Sequence, residues 1–448
     1  MNAGNALVVT AACLAMTARA SVPGAAEGPV KVEVLRTDAG YVLLRGGEPY
    51  VVRGAGMAVD DIARFAARGG NSIRNWSTDD RYQDVGRLLD EAHAHGVTVA
   101  LGLPMQPERH GFDYDDRVAV AAQRESFRDD ILRYRDHPAL LAWIVGNELN
   151  HSYTNPRVFD AVEDVARMIK ELDPNHPVTT ALAGFYPDVV AEVLSRAPSL
   201  DFLSFQHYGS VFRLPERMRS AGFTRPFMVT EWGTLGYWEM ERTSWGAPVE
   251  LTSSEKADVI RRAWDEVLGA FPGQLIGSYV FFWGQKQERT PTWFGLLLES
   301  GEETEAVDVM QLAWSGIPPA NRAPRVNAMR LDGRTSRDSV TLVAGRTYDA
   351  LFDVTDPDGD ALRLRWEVKR ESEATQAGGD FEAGIPNVEG LLRDPDSAST
   401  VITVDEPGRY RLFAYAFDGN GHAAHANIPF LVEPGDAPLR KHGSGPGD

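Results

Sequence analysis

The sequence predicts a barrel of eight parallel strands ringed by helices, followed by a small all-β sandwich. Three observations predict it. From about residue 49 to 315, short apolar, β-branched runs alternate with amphipathic helical patterns. Eight strand–helix pairs over roughly 270 residues is the arithmetic of a (β/α)₈ barrel. At Ile317-Pro318-Pro319 a proline-rich stretch reaching Pro324 breaks that pattern, and period-two alternation takes over beyond it.

In chain order, residues 6–16 (ALVVTAACLAM) come first. They form an apolar run too short to span a bilayer, followed by the small-x-small pattern Ala18-Arg19-Ala20. This predicts a secretory signal peptide over 1–20, and a secreted or periplasmic location, although no Lys or Arg precedes the run. A lipoprotein anchor at Cys13 is the alternative, but Thr10 stands where that signal wants an aliphatic residue. Cys13 is the single cysteine, which excludes an internal disulfide framework and a cysteine-based zinc site.

The barrel is assigned to 29–316. Its strand candidates are 50–57 (YVVRGAGM), 71–77 (NSIRNWS), 97–105 (VTVALGLPM), 140–149 (LLAWIVGNEL), 178–184 (VTTALAG), 202–209 (FLSFQHYG), 227–233 (FMVTEWG) and 276–285 (IGSYVFFWGQ). Between them lie helical stripes. Over 157–172 Phe159, Val162, Val165, Ala166, Ile169 and Leu172 recur at three- and four-residue steps, and over 82–94 Gly96 supplies the stop. A doubly wound open sheet is the competing architecture. It would want a Gly-rich phosphate turn after the first strand, and Gly54 and Gly56 lack a third partner.

After a linker at 317–324, an immunoglobulin-like sandwich is expected over 325–434, with a frayed tail at 435–448. Its strands are read at 339–343, 362–366, 400–404 and 410–415, separated by turns such as Asp356-Pro-Asp-Gly359 and Asp418-Gly-Asn-Gly421. Trp366 alternates with charged neighbours and is read as sandwich core. Asp356, Asp358 and Asp360 suit either a solvated turn or a calcium ligand set that lacks the full loop spacing.

The chain carries 45 Lys and Arg against 64 Asp and Glu, a formal charge of −19. That balance argues against nucleic acid, an anionic membrane surface or a polyuronate, and favours a neutral ligand. No segment after the signal is apolar enough to insert in a membrane. His110, His151 and the other histidines show no metal-ligand spacing, so no metal or other cofactor is expected. No oligomeric state is assigned.

Chemistry in such a barrel sits at the C-terminal ends of the strands. The polar and aromatic residues ending the apolar runs are Arg74, Asn75 and Trp76, Asn147 and Glu148, His207 and Tyr208, Glu231 and Trp232, and Trp283 and Gln285. A glutamate ending a run such as LAWIVGN is costly to desolvate without a task or a partner. Either Glu148 or Glu231 alone could be a salt-bridge partner capping a strand end, held by Arg74. A pair of carboxylates at one barrel mouth, in aromatic company, points to catalysis. Aromatic residues of the following loops add flat faces for a sugar: Tyr237, Trp238 and Trp245, then Trp293 and Phe294.

Asn147-Glu148 in WIVGNEL and Glu231 in VTEWG resemble the signature of the clan A glycoside hydrolases, retaining enzymes on (β/α)₈ barrels. NSIRNWS resembles the second-strand segment of families two and five. The resemblance implies Glu231 as nucleophile and Glu148 as acid/base, two carboxyls that retention needs about 5–5.5 Å apart. It implies Arg74 as the opposite charge beside the nucleophile, Tyr208 as its hydrogen-bond donor and Asn147 as the contact to the sugar 2-hydroxyl. His207, Trp283, Trp76 and Trp238 are assigned to the substrate, with Trp283 as the sugar-binding floor. An apolar setting is expected for Glu148, which must start protonated.

The implied activity is retaining β-glycoside hydrolysis of a neutral β-linked glucan or related polysaccharide. Transglycosylation by the same residues is the enzymatic alternative, and a non-catalytic glycan-binding envelope protein the alternative of a different class. Family-two enzymes usually carry β-sandwiches before the barrel, whereas here the sandwich follows it, so family-two substrates do not transfer by fold analogy.

Overall fold

The computed structural model describes residues 28–435 apart from 58–60, 272 and 377. The expected signal peptide with Cys13, and the tail beyond Gly435, lie outside the described residues. Eight parallel strands close into a barrel in sequence order. Strands 1 to 4 are Val52–Gly56, Ser72–Arg74, Thr98–Leu103 and Leu140–Asn147. Strands 5 to 8 are Val178–Ala183, Leu203–Gln206, Phe227–Trp232 and Leu275–Val280. Each lies within one residue of the run that predicts it.

Side-chain alternation divides the barrel into two cores. On strand 3, Val99, Leu101 and Leu103 face outward and pack with Leu88 and Leu89 of the helix Val85–Ala94. Ala100 faces inward and meets Ala142, Ile144, Ala181 and Met228 of other strands. The interior is therefore filled with side chains rather than hollow. Its N-terminal end is closed by an antiparallel sheet of Val32–Thr37, Gly40–Arg45 and Glu48–Pro49, whose Val32 and Leu43 join the inner core. No element had been expected there. Gly40 sits at φ 125°, and a Cβ on it would stand 2.1 Å from the Gly273 carbonyl oxygen, so only glycine lets this plug seat.

The two strands that carry the glutamates lose regular register near their ends. Strand 4 shifts against strand 5 between Ile144 and Asn147, with Gly146 at φ 73° and Glu148 at φ 50°. Strand 7 shifts against strand 6 between Val229 and Glu231. Such irregularities re-aim the next side chain. Here they turn Asn147, Glu148 and Glu231 to the mouth.

The C-terminal region forms two sheets. Arg325–Leu331, Thr347–Thr355 and Ser399–Thr403 make one; Val340–Val343, Ala423–Glu433, Gly408–Phe417 and Arg363–Arg370 make the other. Val340–Val343 runs parallel to its neighbour, so this sheet is mixed. The sheets enclose Phe352, Trp366, Ile402, Leu412 and Phe430. Gly408–Phe417 is buried almost throughout because its other face lies on the barrel, where Phe413, Tyr415 and Phe417 pack with Leu298.

Polar groups lock that junction. Glu250 accepts from Lys256, Thr290 and Thr292 of the barrel and from Asn427 of the sandwich, 2.7 Å away. Arg411 donates to Glu371, Asn427 and the Pro248 carbonyl. Burial pushes the Glu250 carboxyl up, but Lys256, His425 and Arg411 outweigh it and hold it down at about 2. The proline-rich segment is pinned as well, through Asn321 to Asp418 and the Ala323 amide to Asp308.

Candidate active site

A cavity of about 850 Å³ opens at the C-terminal ends of the strands, lined by both Glu148 and Glu231. Strand 2 alternates Ser72 inward, Ile73 outward and Arg74 inward, and this parity brings Arg74 beneath Glu231.

The Glu231 carboxylate accepts from four donors. Arg74 Nη1 at 2.7 Å, Trp76 Nε1 at 2.9 Å and Gln206 Nε2 at 3.0 Å converge on Oε1. The Tyr208 hydroxyl donates to Oε2 at 3.0 Å. Arg74 also donates to Asn147 Oδ1 and the Thr230 carbonyl, and its guanidinium lies 5.2 Å from the Trp76 ring. Burial pushes the Tyr208 phenol well above its usual range, and Glu231 adds to the effect, so the hydroxyl keeps its proton and stays a donor.

Glu148 has the opposite environment. Its carboxyl, turned to the cavity, receives no hydrogen bond from the described residues. Desolvation first, then the charge of Glu231, pushes it up to about 8 against the pull of Arg109 and Arg74. One carboxylate is thus saturated with donors and ion-paired, the other bare and protonated at neutral pH. Two such groups with environments driven apart form an acid–base pair. Asn147 is held by its oxygen, which accepts from Arg74 and from Gln206 Nε2 at 2.7 Å, leaving its amide protons for a ligand.

Residues 82–237 match the family described as glycosyl hydrolases family 2, TIM barrel domain. Over this part of its barrel the chain is similar to that family. Over 144 residues, 31% of this chain, it is 33% identical to a putative mannan endo-1,4-beta-mannosidase 4 of Arabidopsis thaliana, of which that stretch covers 33%. Over 80 residues, 18% of this chain, it is 32% identical to a probable mannan endo-1,4-beta-mannosidase A-2 of Aspergillus terreus, covering 20% of that protein. The chain therefore spans a third or less of the curated relatives it matches. Among solved structures, a Bacteroides uniformis beta-glucuronidase superposes with a TM-score of 0.50 at 15% identity, over 90% of this chain and 48% of that one, a likeness of fold.

In this barrel, Glu148, Glu231, Asn147, Trp76, Tyr208 and Trp238 line the cavity, with Arg74 directly behind Glu231. Two expected substrate residues do not. His207 is buried, hydrogen-bonded through Nδ1 to Ser210 at 2.8 Å, and held neutral because burial, helped by Arg217, pushes it down to about 3. The reason is parity: Ser204, Gln206 and Tyr208 alternate to the inner face, while Phe205 and His207 face out. Gln206 stands where His207 was expected.

Trp283, expected as the sugar-binding floor, also lies away from the cavity. It follows Val280 to the outer face and packs 5.1 Å from Phe65 and 6.1 Å from Trp314, between barrel and helices. The rings that line the cavity just past strand 8 are Phe281 and Phe282. Trp283→Ala is expected to cost about 3–5 kcal/mol of stability as a core truncation and to leave KM near wild type, read by thermal melting and steady-state kinetics.

Other residues reach the cavity without a local signal: Tyr82, Tyr186, Glu239, Glu288, and Gly378 and Gly379 of the C-terminal region. His151 also lines it, while Trp293 and Phe294 pack behind Tyr208 and Phe281. Trp245 lies at a smaller cavity between barrel and sandwich. Of the three sandwich aspartates, Asp356 and Asp360 gather with Asp418, whereas Asp358 pairs with Arg322 at 2.8 Å. Among the described residues no helix is long and apolar enough to cross a membrane.

Proposed function

We propose that this protein is an exported retaining β-glycoside hydrolase acting on a neutral β-linked polysaccharide, with β-mannan the favoured substrate. The observation that carries this reading is the pairing in one cleft of Glu231, held by four donors, with a bare Glu148 whose carboxyl is pushed up to about 8. Glu231 attacks the anomeric carbon while Glu148 gives its proton to the leaving oxygen. Neutralising Glu231 in the glycosyl-enzyme removes the largest cause, after burial, that raises Glu148, and so eases its step of taking a proton from the incoming water. Arg74, Trp76, Gln206 and Tyr208 fix the nucleophile in line, and the free amide of Asn147 meets the 2-hydroxyl.

A neutral sugar suits the rest of the cleft. Its lysine, Lys286, is engaged by Glu288 at 2.7 Å, and Arg74 by Glu231, so neither is free for a uronate carboxylate. Tyr82, Tyr186 and Trp238 line the cavity while 81%, 52% and 49% exposed, which offers open ring faces to pyranoses. The names of both curated relatives favour β-1,4-mannan. Export rests on the apolar run at 6–16 with Ala18 and Ala20. Incubation with soluble β-mannans and β-glucans, followed by product sizing, tests the proposal. Oligosaccharide release from at least one, fastest from β-1,4-mannan, is expected; no release from any would overturn it.

A further inference from the structure

We propose that residues 378–382, which the C-terminal sandwich sends across the barrel mouth, form a sugar-binding wall of the cleft. The sandwich would then be part of the substrate site rather than a separate accessory module. The inference rests on the glycoside hydrolase reading above and assigns to that cleft a specificity element from outside the barrel.

Gly378 and Gly379 line the same cavity as Glu148 and Glu231. Gly378 lies so close to the cleft aromatic Trp238 that a Cβ on it would stand 3.2 Å from the indole and 3.5 Å from Glu288 Oε1. A larger residue there must displace Trp238 or enter the cleft.

The segment is fastened at both ends to barrel loops. On the strand-8 side, Glu382 is buried and accepts from the Arg289 amide at 2.8 Å, while Arg289 Nη2 donates to the Gln376 carbonyl at 3.1 Å. The Gly379 amide reaches Glu288 Oε1 at 3.4 Å. On the strand-3 side, Asp380 meets His110 Nε2 at 3.1 Å and Arg109 at 4.0 Å. Arg109 in turn donates to the main-chain carbonyl of Glu148 at 3.1 Å, which ties the segment to the backbone of the acid/base residue. Glu371, where this excursion leaves the sandwich, is clamped by Arg411 in the buried junction with the barrel. A segment so anchored is pre-organised, so its contacts with a ligand cost little ordering. Between its two anchors Phe381 is 84% exposed, an aromatic face unused by the fold and available to a longer chain at the rim.

The test compares the full-length wild type with Gly378→Leu and Phe381→Ala on two probes. One is a 4-nitrophenyl β-glycoside; the other is β-1,4-mannohexaose or cellohexaose, whichever the wild type cleaves. Thermal melting establishes that both variants fold. Gly378→Leu is expected to raise KM for the hexasaccharide on the order of 10-fold with little change in kcat, the signature of lost binding away from the reacting bond. Phe381→Ala is expected to raise KM for the hexasaccharide several-fold and leave that for the aryl glycoside unchanged. Folded variants with wild-type KM on the hexasaccharide would overturn the inference alone. A wild type that turns over neither probe would overturn the hydrolase reading, and the inference with it.

Discussion

Replacing Glu231 with glutamine is expected to lower kcat/KM on the order of 10⁴-fold or more, about 5.5 kcal/mol of transition-state stabilisation. The substitution removes the attacking oxygen and leaves its surroundings in place: Arg74, Trp76, Gln206 and Tyr208 still point at the same spot. It also leaves Arg74, 1% exposed, without its counter-charge, so some loss of stability accompanies the loss of rate. Azide tells the two effects apart. A small anion can take the place of the missing carboxylate and attack the anomeric carbon, so activity should return with an inverted glycosyl azide as product. A variant that is merely misfolded gains nothing from azide.

Glu148→Gln is the second large effect, with a different signature. General acid assistance contributes about 10²–10⁴-fold, and it matters most where the leaving group is a poor one. Hydrolysis of a polysaccharide should fall by that factor, whereas an aryl glycoside that departs without a proton should still form the glycosyl-enzyme and then stall. Added azide should release it as the β-glycosyl azide. The pH profile follows from the carboxyl pushed up to about 8 by burial and by Glu231. Below that value Glu148 holds the proton it must donate, so wild-type kcat on a polysaccharide should fall as pH rises through about 8, and Glu148→Gln should lack this limb. Stability runs the same way. A carboxyl whose folded pKa lies above its unfolded 4.5 favours the fold most at low pH, and that contribution is lost as pH rises through about 8. Glu148→Gln should therefore melt above the wild type in alkaline buffer, a residue kept for chemistry at a cost in stability.

Much of the barrel was legible in the sequence because parallel strands covered on both faces leave continuous apolar runs, and polar residues that end such runs stand out. Glu148 after WIVGN and Glu231 after FMVT are of this kind. Where sequence and structure differ, side-chain parity decides. In FLSFQHYG the inner face is Ser204, Gln206 and Tyr208, and counting by two from Tyr208 would have chosen Gln206 over His207. For Trp283 the alternation is carried past the end of strand 8 by an irregular segment, so its outward packing on Phe65 and Trp314 needed three dimensions. Glycine at 378 and 379 has no local pattern that announces a cleft wall, since its place there depends on a domain junction fixed by Glu250, Lys256, Arg411 and Asn427. The plug at 32–49 was missed because its strands are short and only half covered.

The central claim is that Glu231 becomes covalently bonded to the sugar. Incubating the protein with an activated 2-deoxy-2-fluoro-β-mannoside or β-glucoside slows both steps but leaves a good leaving group, so the intermediate accumulates. Intact mass followed by peptide mapping then locates it. One fluoroglycosyl unit on the peptide containing Glu231, absent from Glu231→Gln, is the expected result. An adduct on another residue, or turnover of the unfluorinated substrate giving the inverted α-anomer as its first product, would contradict it.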